Sequence, residues 1–290
     1  MAGNLVDLES YLGSRVLGQI DALARLSRAV QSAECDLNDR GPRPLGAFLF
    51  MGSRGVGKTE SSKAFTKYLF GDAGLTMLFM NEYQRSDDVD DLVHAMKVGV
   101  AAGTKTFLFD EIEKAHKSVI DVFISLLDEG QITDIDGSRI SVGNCYVVMT
   151  SNIGAARWGS MERTPYSRME SFAYEQARKA LRPELFNRLT ETIVFRPLTQ
   201  PVQIEILQAM LARKLSHLEP KLRKSPLTIE DRGRAFLLRK CFTASEGARR
   251  LRQELDRRIN EAVLPWALRK LSPGEGRFSY NGATDQLVLT

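Results

Sequence analysis

The chain has 290 residues, 43% of them hydrophobic and 26% charged, a composition that excludes a disordered, collagen-like or disulfide-scaffolded protein and leaves room for two domains. The net charge of +4 is unevenly divided. Residues 1–177 carry 18 Lys and Arg against 24 Asp and Glu, and residues 178–290 carry 22 against 12, which suggests a boundary near residue 180. No stretch reaches the ~18 uninterrupted apolar residues of a membrane span. The first residues lack the basic start and apolar run of a secretory signal, so the sequence reads as that of a soluble, cytoplasmic protein. Cys35, Cys145 and Cys241, and His94, His116 and His217, are too scattered for a metal or redox site, and the cysteines read as small buried hydrophobes.

In chain order, Ile20, Leu23, Leu26, Val30 and Ala33 form one apolar face of a helix over 19–33. Gly41-Pro-Arg-Pro44 ends that segment, and Leu45–Met51 is a continuous apolar run of the kind expected for a strand buried on both faces. Similar runs follow at 75–80, 106–109, 145–150 and 192–195, with helical patterns between them at 58–70, 88–101 and 118–128. This alternation predicts a five-stranded parallel sheet with helices on both faces. Two short strands around Asp136-Gly137 predict a hairpin within 132–142. Residues 154–168 are polar and aperiodic and read as a surface loop. Beyond Pro197 the pattern is helical, at 202–218 (Ile206, Met210, Leu211, Leu215), 230–240 and 247–269 (Leu251, Leu255, Ile259, Val263, Trp266), and it closes with a strand pair at 277–289.

The chemistry-bearing motifs lie in the first part. Gly52-Ser-Arg-Gly-Val-Gly-Lys-Thr59 matches the phosphate loop G-x-x-x-x-G-K-[ST] in full, with a strand before it and a helix after it. The N–H groups of residues 54–59 and the helix N-terminus can face a polyphosphate. Lys58 would place a charge on its outer phosphates, and the Thr59 hydroxyl would ligate Mg²⁺. Phe107-Leu-Phe-Asp110-Glu111 ends a buried strand in two carboxylates at the carboxyl edge of the sheet, where open α/β sheets bind ligands. Asp110 suits coordination of Mg²⁺ through water, and Glu111 suits polarisation of an attacking water. The alternative is an ordinary acidic helix start.

With Arg15-Val-Leu-Gly-Gln19, Gly-Val-Gly-Lys-Thr-Glu60, Asp110-Glu-Ile-Glu-Lys-Ala-His116, Leu-Leu-Asp-Glu-Gly130 and Met149-Thr-Ser-Asn-Ile-Gly154 in view, the chain from about residue 8 to its end resembles the second nucleotide-binding domain of the Clp-type AAA+ chaperones, those of ClpB kind in particular. The resemblance implies a P-loop NTPase fold with a large nucleotide-binding domain, 1–197, and a small, mainly helical lid domain, 198–290, moving the boundary from residue 180 to Pro197. It implies ATP or ADP with Mg²⁺, bound by Gly52, Ser53, Arg54, Gly55, Val56, Gly57, Lys58, Thr59 and Glu60, with Val16 and Leu17 lining the adenine pocket. Asn152 matches the sensor-1 residue and Arg188 the arginine finger that acts on a neighbouring subunit. Arg249 matches the sensor-2 arginine, with Arg250 and Arg252 as alternatives. For each arginine an ordinary salt bridge or solvated charge is the competing reading.

The sequence also departs from that family. Threading members carry an aromatic Gly-Tyr-Val-Gly pore loop after Ser-Glu-Tyr; here Asn81-Glu-Tyr83 is followed by a shortened stretch to Thr106 without an aromatic residue. Met96 or Val98 could serve in its place, and plain helix packing is the alternative. No Ile/Leu-Gly-Phe tripeptide occurs between Gly154 and Phe186, so no peptidase partner is expected. The sequence is expected to act as a single module without a preceding ATPase domain. Three functions follow as expectations. The first is an ATPase that assembles as a homo-oligomer, a hexameric ring or spiral with Arg188 acting in trans, and remodels a protein client. The second is a nucleotide-controlled switch or scaffold. The third is a nucleic-acid-associated helper suggested by the basic carboxy-terminal part, whose arginines nevertheless do not gather into one patch.

Overall fold

The computed structural model describes residues 4–37, 39, 41–241, 247–269 and 271–290. The residues before Asn4, which form the start of the stretch inspected for a signal, lie outside it. The chain divides into two compact units, Met1–Pro197 and Leu198–Thr290.

In the first unit, α1 (Leu8–Arg15) and α2 (Ile20–Glu34) lead into β1 (Gly46–Met51), followed by α3 (Lys58–Phe70), β2 (Leu75–Phe79), α4 (Asp88–Ala101), β3 (Thr106–Asp110) and α5 (Lys117–Glu129). The hairpin β4 (Gln131–Thr133) and β5 (Arg139–Ser141) comes next, then β6 (Tyr146–Ser151), α6 (Ala155–Trp158), α7 (Tyr166–Ala180), α8 (Pro183–Phe186) and β7 (Glu191–Val194). The sheet order is β2-β3-β6-β1-β7, and every pairing in it is parallel.

Strand β1 sits inside this sheet and is buried along its whole length, and its side chains alternate between two cores. Ala47, Leu49 and Met51 join a cluster with Met96, Phe107, Phe109, Phe123 and Trp158. On the opposite face Phe48 stacks with Tyr146 at 6.0 Å and Phe50 tilts against Phe195 at 5.2 Å. Strands β1 and β6, buried along their whole length, lie inside the sheet, whereas the apolar run of β2 forms a half-buried edge strand; the loop after β1 lies at the carboxyl edge of the sheet.

Several expectations need correction. Ile20 is not part of the packed face of α2: it is 79% exposed, while Leu23, Leu26, Val30 and Ala33 are buried. The expected surface loop at 154–168 is largely structured. It contains α6, a 3₁₀ turn at Gly159–Met161 and the first turn of α7, because Trp158 is fully buried, stacks edge-on with Phe172 and donates from Nε1 to the Ile153 carbonyl at 2.9 Å. One large aromatic, rather than a periodic pattern, anchors that segment. Within α4, Met96 is fully buried in the core and Val98 is 56% exposed, so Met96 packs as an ordinary core residue.

The second unit contains α9 (Gln200–Leu222), β8 (Thr228–Ile229), α10 (Asp231–Cys241), α11 (Gly247–Arg269), β9 (Arg277–Asn281) and β10 (Gln286–Leu289). Strands β10 and β9 are antiparallel, and β8, too short to be read from the sequence, pairs parallel with β9. The buried stripe of α9 is Leu207, Leu211, Leu215, Leu218 and Leu222, with Ile206 and Met210 only at its margin. On α11 it is Leu251, Leu255, Ile259 and Val263, and Trp266 lies at the edge, donating to the Leu289 carbonyl at 3.0 Å.

Candidate nucleotide site

The loop between β1 and α3 is shaped by two close approaches. Gly52 has φ +147°, and a Cβ there would lie 2.6 Å from the Phe195 carbonyl oxygen; Gly57 has φ +109°, and a Cβ there would lie 2.6 Å from Val16 Cγ1. No side chain fits either position. Val16 is held against the loop by Gln19, whose buried amide accepts from Arg196 N at 2.8 Å and donates to Arg196 O at 3.0 Å. This two-way bond ties the start of α2 to the chain leaving β7, and it explains why a glutamine ends the Arg15–Gln19 motif. Helix α3 begins without a side-chain cap, so its first N–H groups are available to an anion.

Lys58, 7% exposed, folds back into the loop. Its Nζ donates to Gly52 O at 2.7 Å, Ser53 O at 2.7 Å and Asn152 Oδ1 at 2.9 Å. Burial pulls its pKa down to about 8, against the opposing pull of Glu113, Asp110 and Glu111. The surrounding acids are organised by β6, the neighbour of β3. The Thr150 hydroxyl donates to Asp110 Oδ1 at 2.6 Å and accepts from Glu111 N at 3.1 Å, and the Thr59 hydroxyl reaches the same Asp110 oxygen at 3.4 Å.

Glu111 has φ +59° and ψ +56°, a left-handed conformation uncommon for a residue with a side chain and costing of order 1–3 kcal/mol. That turn directs its carboxylate to Asn152 Nδ2 at 2.8 Å, Arg54 Nη2 at 3.4 Å and Lys114 Nζ. Burial pushes the Glu111 pKa up, but the Lys114 hydrogen bond and charge, followed by those of Arg54, outweigh it and leave the group below the usual carboxylate range. Glu111 is therefore ionised at neutral pH. Asn152 is fixed in turn by Glu113, whose Oε1 accepts from Asn152 N at 3.0 Å.

The structure thus brings Lys58, Thr59, Asp110, Glu111 and Asn152 together, with Val16 beneath the loop. Ser53 is buried and Val56 3% exposed; Leu17 and Gly55 are half-buried, and Glu60 is exposed on the first turn of α3. Arg188 lies apart from this network. Nη2 pairs with Asp128 Oδ2 at 2.7 Å, Nη1 donates to Glu184 O at 2.8 Å, and Asp128 also receives Arg43 at 2.9 Å. Arg249 is an exposed residue at the start of α11 in the second unit. Thr150, Glu113 and Gln19 stand inside the motif strings quoted for the resemblance, but the sequence assigned none of them a role. A buried threonine and a second carboxylate are ordinary in composition, and only the neighbouring strand shows what they hold.

The residues present fit a Mg²⁺ nucleotide. The cradle is closed to side chains at Gly52 and Gly57, Lys58 is buried beside it, and Thr59 and Asp110 converge. Among the described residues no three His, Cys, Asp or Glu side chains gather in a metal-binding group. Also among the described residues, no helix is long and apolar enough to cross a membrane.

The profile of the AAA domain (Cdc48 subfamily) matches residues 43–192. The chaperone protein ClpB 1 of a Nostoc species is 36% identical over 277 residues, covering 89% of this chain and 31% of the relative. ClpB of Agrobacterium fabrum is 31% identical over 300 residues, covering 98% and 34%. The ATP-dependent Clp protease ATP-binding subunit ClpA homolog of Porphyra purpurea is 33% identical over 285 residues, covering 89% and 34%. The chain therefore spans about a third of the length of these curated relatives. With the matched profile spanning more than half of the chain and enclosing the phosphate loop, the Asp110-Glu111 strand end and Asn152, the chain belongs to the AAA+ ATPases of Clp type.

Proposed function

We propose that this chain binds and hydrolyses Mg²⁺-ATP and couples the cycle to the remodelling of a protein partner, as part of a homo-oligomer in which Arg188 acts on the nucleotide of a neighbouring copy. The observation that carries this reading is the convergence of Lys58, Asp110, Glu111 and Asn152 within one hydrogen-bonded network. Bound Mg²⁺-ATP would supply the phosphoanhydride and the metal charge. Thr59 and Asp110 would hold the ion, Lys58 and the loop N–H groups the outer phosphates, and Val16 and Leu17 the base. The ionised Glu111 carboxylate, aimed by its left-handed turn and by Asn152, would take the proton of the attacking water. Arg249 on the second unit would sense the nucleotide.

The relatives named as chaperones and as a protease ATP-binding subunit favour a protein client. The continuous helix α4, whose Met96 lies in the core, favours a second reading of the same site, in which nucleotide state governs assembly and partner docking without threading. Both readings share one test. After incubation with Mg²⁺-ATP and gel filtration, Glu111→Gln should elute with unhydrolysed ATP, together with any captured copies or client, whereas the wild type elutes with ADP. A variant that elutes with ADP as the wild type does would overturn the proposal.

A further inference from the structure

Glu111 accepts from three donors. Its Oε1 is shared by Asn152 Nδ2 at 2.8 Å and Arg54 Nη2 at 3.4 Å, and Oε2 is taken by Lys114. A carboxylate offers about four lone-pair sites, and both of those on Oε1, the oxygen turned toward Asn152 and the phosphate loop, are taken, so a water that loses its proton to that oxygen needs one of these two positions. Of the three partners Arg54 is the most easily displaced. Its contact is the longest, and its side chain is 62% exposed, so the ion pair is of the screened, weak kind. Asn152, by contrast, is fixed by Lys58 and by Glu113.

Arg54 is also part of the phosphate loop itself, two residues after Gly52 and four before Lys58. An arginine offered a choice between one carboxylate oxygen at 3.4 Å and a terminal phosphate carrying more charge and three acceptor oxygens will take the phosphate, with which its planar fork makes paired hydrogen bonds. A diphosphate presents no such group at that end of the loop.

We propose that Arg54 is the residue by which this site distinguishes a nucleoside triphosphate from a diphosphate: it pairs with Glu111 when no γ-phosphate is present and transfers to the γ-phosphate when one is, freeing for the water the site on Glu111 Oε1 that Asn152 does not fill. This rests on the nucleotide reading above, and it adds a discriminating role to a side chain that the loop pattern leaves unspecified.

The test measures equilibrium binding of fluorescently labelled ATPγS and ADP, each with Mg²⁺, to the full chain. Arg54→Ala should lose about tenfold or more in affinity for ATPγS, the size of one hydrogen bond to a charged group, with ADP binding changed less than twofold. Glu111→Gln, which removes the competing charge, should tighten ATPγS binding in the Arg54 background and not in the Arg54→Ala background. Arg54→Lys, which keeps the charge without the fork, should fall between. Equal losses for both nucleotides, no loss for either, or an unchanged effect of Glu111→Gln in the Arg54→Ala background would overturn the proposal. Lys58→Ala separates the two claims. If it leaves both nucleotides bound as tightly as the wild type, the nucleotide site itself is misplaced; if it weakens both, the Arg54 result stands on its own. Thermal unfolding of Arg54→Ala matching the wild type establishes that the exposed substitution leaves the fold intact.

Discussion

Lys58 is a lysine in a place where a charge is costly. It is almost fully buried, and three hydrogen bonds to two carbonyls and an amide hold its ammonium group, yet burial still brings its pKa from 10.5 to about 8. Between about pH 8 and pH 10.5 the unfolded chain therefore keeps a proton at this position that the folded chain has released, and stability from this group rises with pH across that window. Comparing urea denaturation of the wild type with Lys58→Met at pH 7.5 and pH 10 checks this. The free energy of unfolding of the wild type should gain on that of the variant by up to about 3 kcal/mol at the higher pH; a constant difference would show that Lys58 does not carry the depressed pKa. The neighbouring acids are held in place by hydrogen bonds from β6 and the residue just after it. Thr150 serves Asp110 and the backbone of Glu111 at once, and Glu113 holds Asn152, so each acid meets a donor or fixes one.

At the scale of elements, the parallel sheet was legible because its interior strands β1, β3 and β6 are runs of mostly apolar, buried residues, and α3 and α4 because helical patterns fill the gaps between the strands. The phosphate loop and the Asp110-Glu111 strand end were legible because each motif is local in sequence. What could not be read was whatever depends on a partner distant along the chain. Ile20 has helical spacing but no surface to pack on, β8 is two residues long, and the segment after Gly154 owes its structure to Trp158. The site followed the same division: the motifs of Lys58 and Glu111 carry their roles with them, whereas Gln19, Thr150 and Glu113, although they too stand in motifs, hold partners across separations that no window reveals. His116, part of a chemistry-laden string, turns out to cap α5 by accepting from Ser118 N at 3.2 Å. Replacing Trp158 by alanine tests the claim about its segment. The change should cost about 3–5 kcal/mol in chemical denaturation and expose 154–168 to proteolysis first, and a loss below about 1 kcal/mol would mean the segment is held otherwise.

For the whole molecule, residues 1–197 carry 23 Lys and Arg against 26 Asp and Glu, and residues 198–290 carry 17 against 10. The contrast is milder than a cut at residue 177 suggests, because the basic run from Arg178 to Arg196 belongs to the first unit. It remains of the sign that would favour contact between unlike units of neighbouring copies. In one copy Arg188 is occupied by Asp128 and the Glu184 carbonyl, so a role in trans requires assembly to draw it away or to present it through that pair. Mixing Arg188→Ala, which has an intact loop, with Lys58→Ala, which has an intact arginine, should restore hydrolysis that neither shows alone; a mixture as inactive as its components would place Arg188 outside catalysis in trans. The claim beneath all of these is that Glu111 is the base of an ATP-hydrolysing site. Steady-state phosphate release from Mg²⁺-ATP by the wild type and by Glu111→Gln tests it most directly. The wild type should turn over measurably and the variant about 10²-fold or more slowly; no turnover in the wild type, or equal rates in the two, would contradict that role of Glu111.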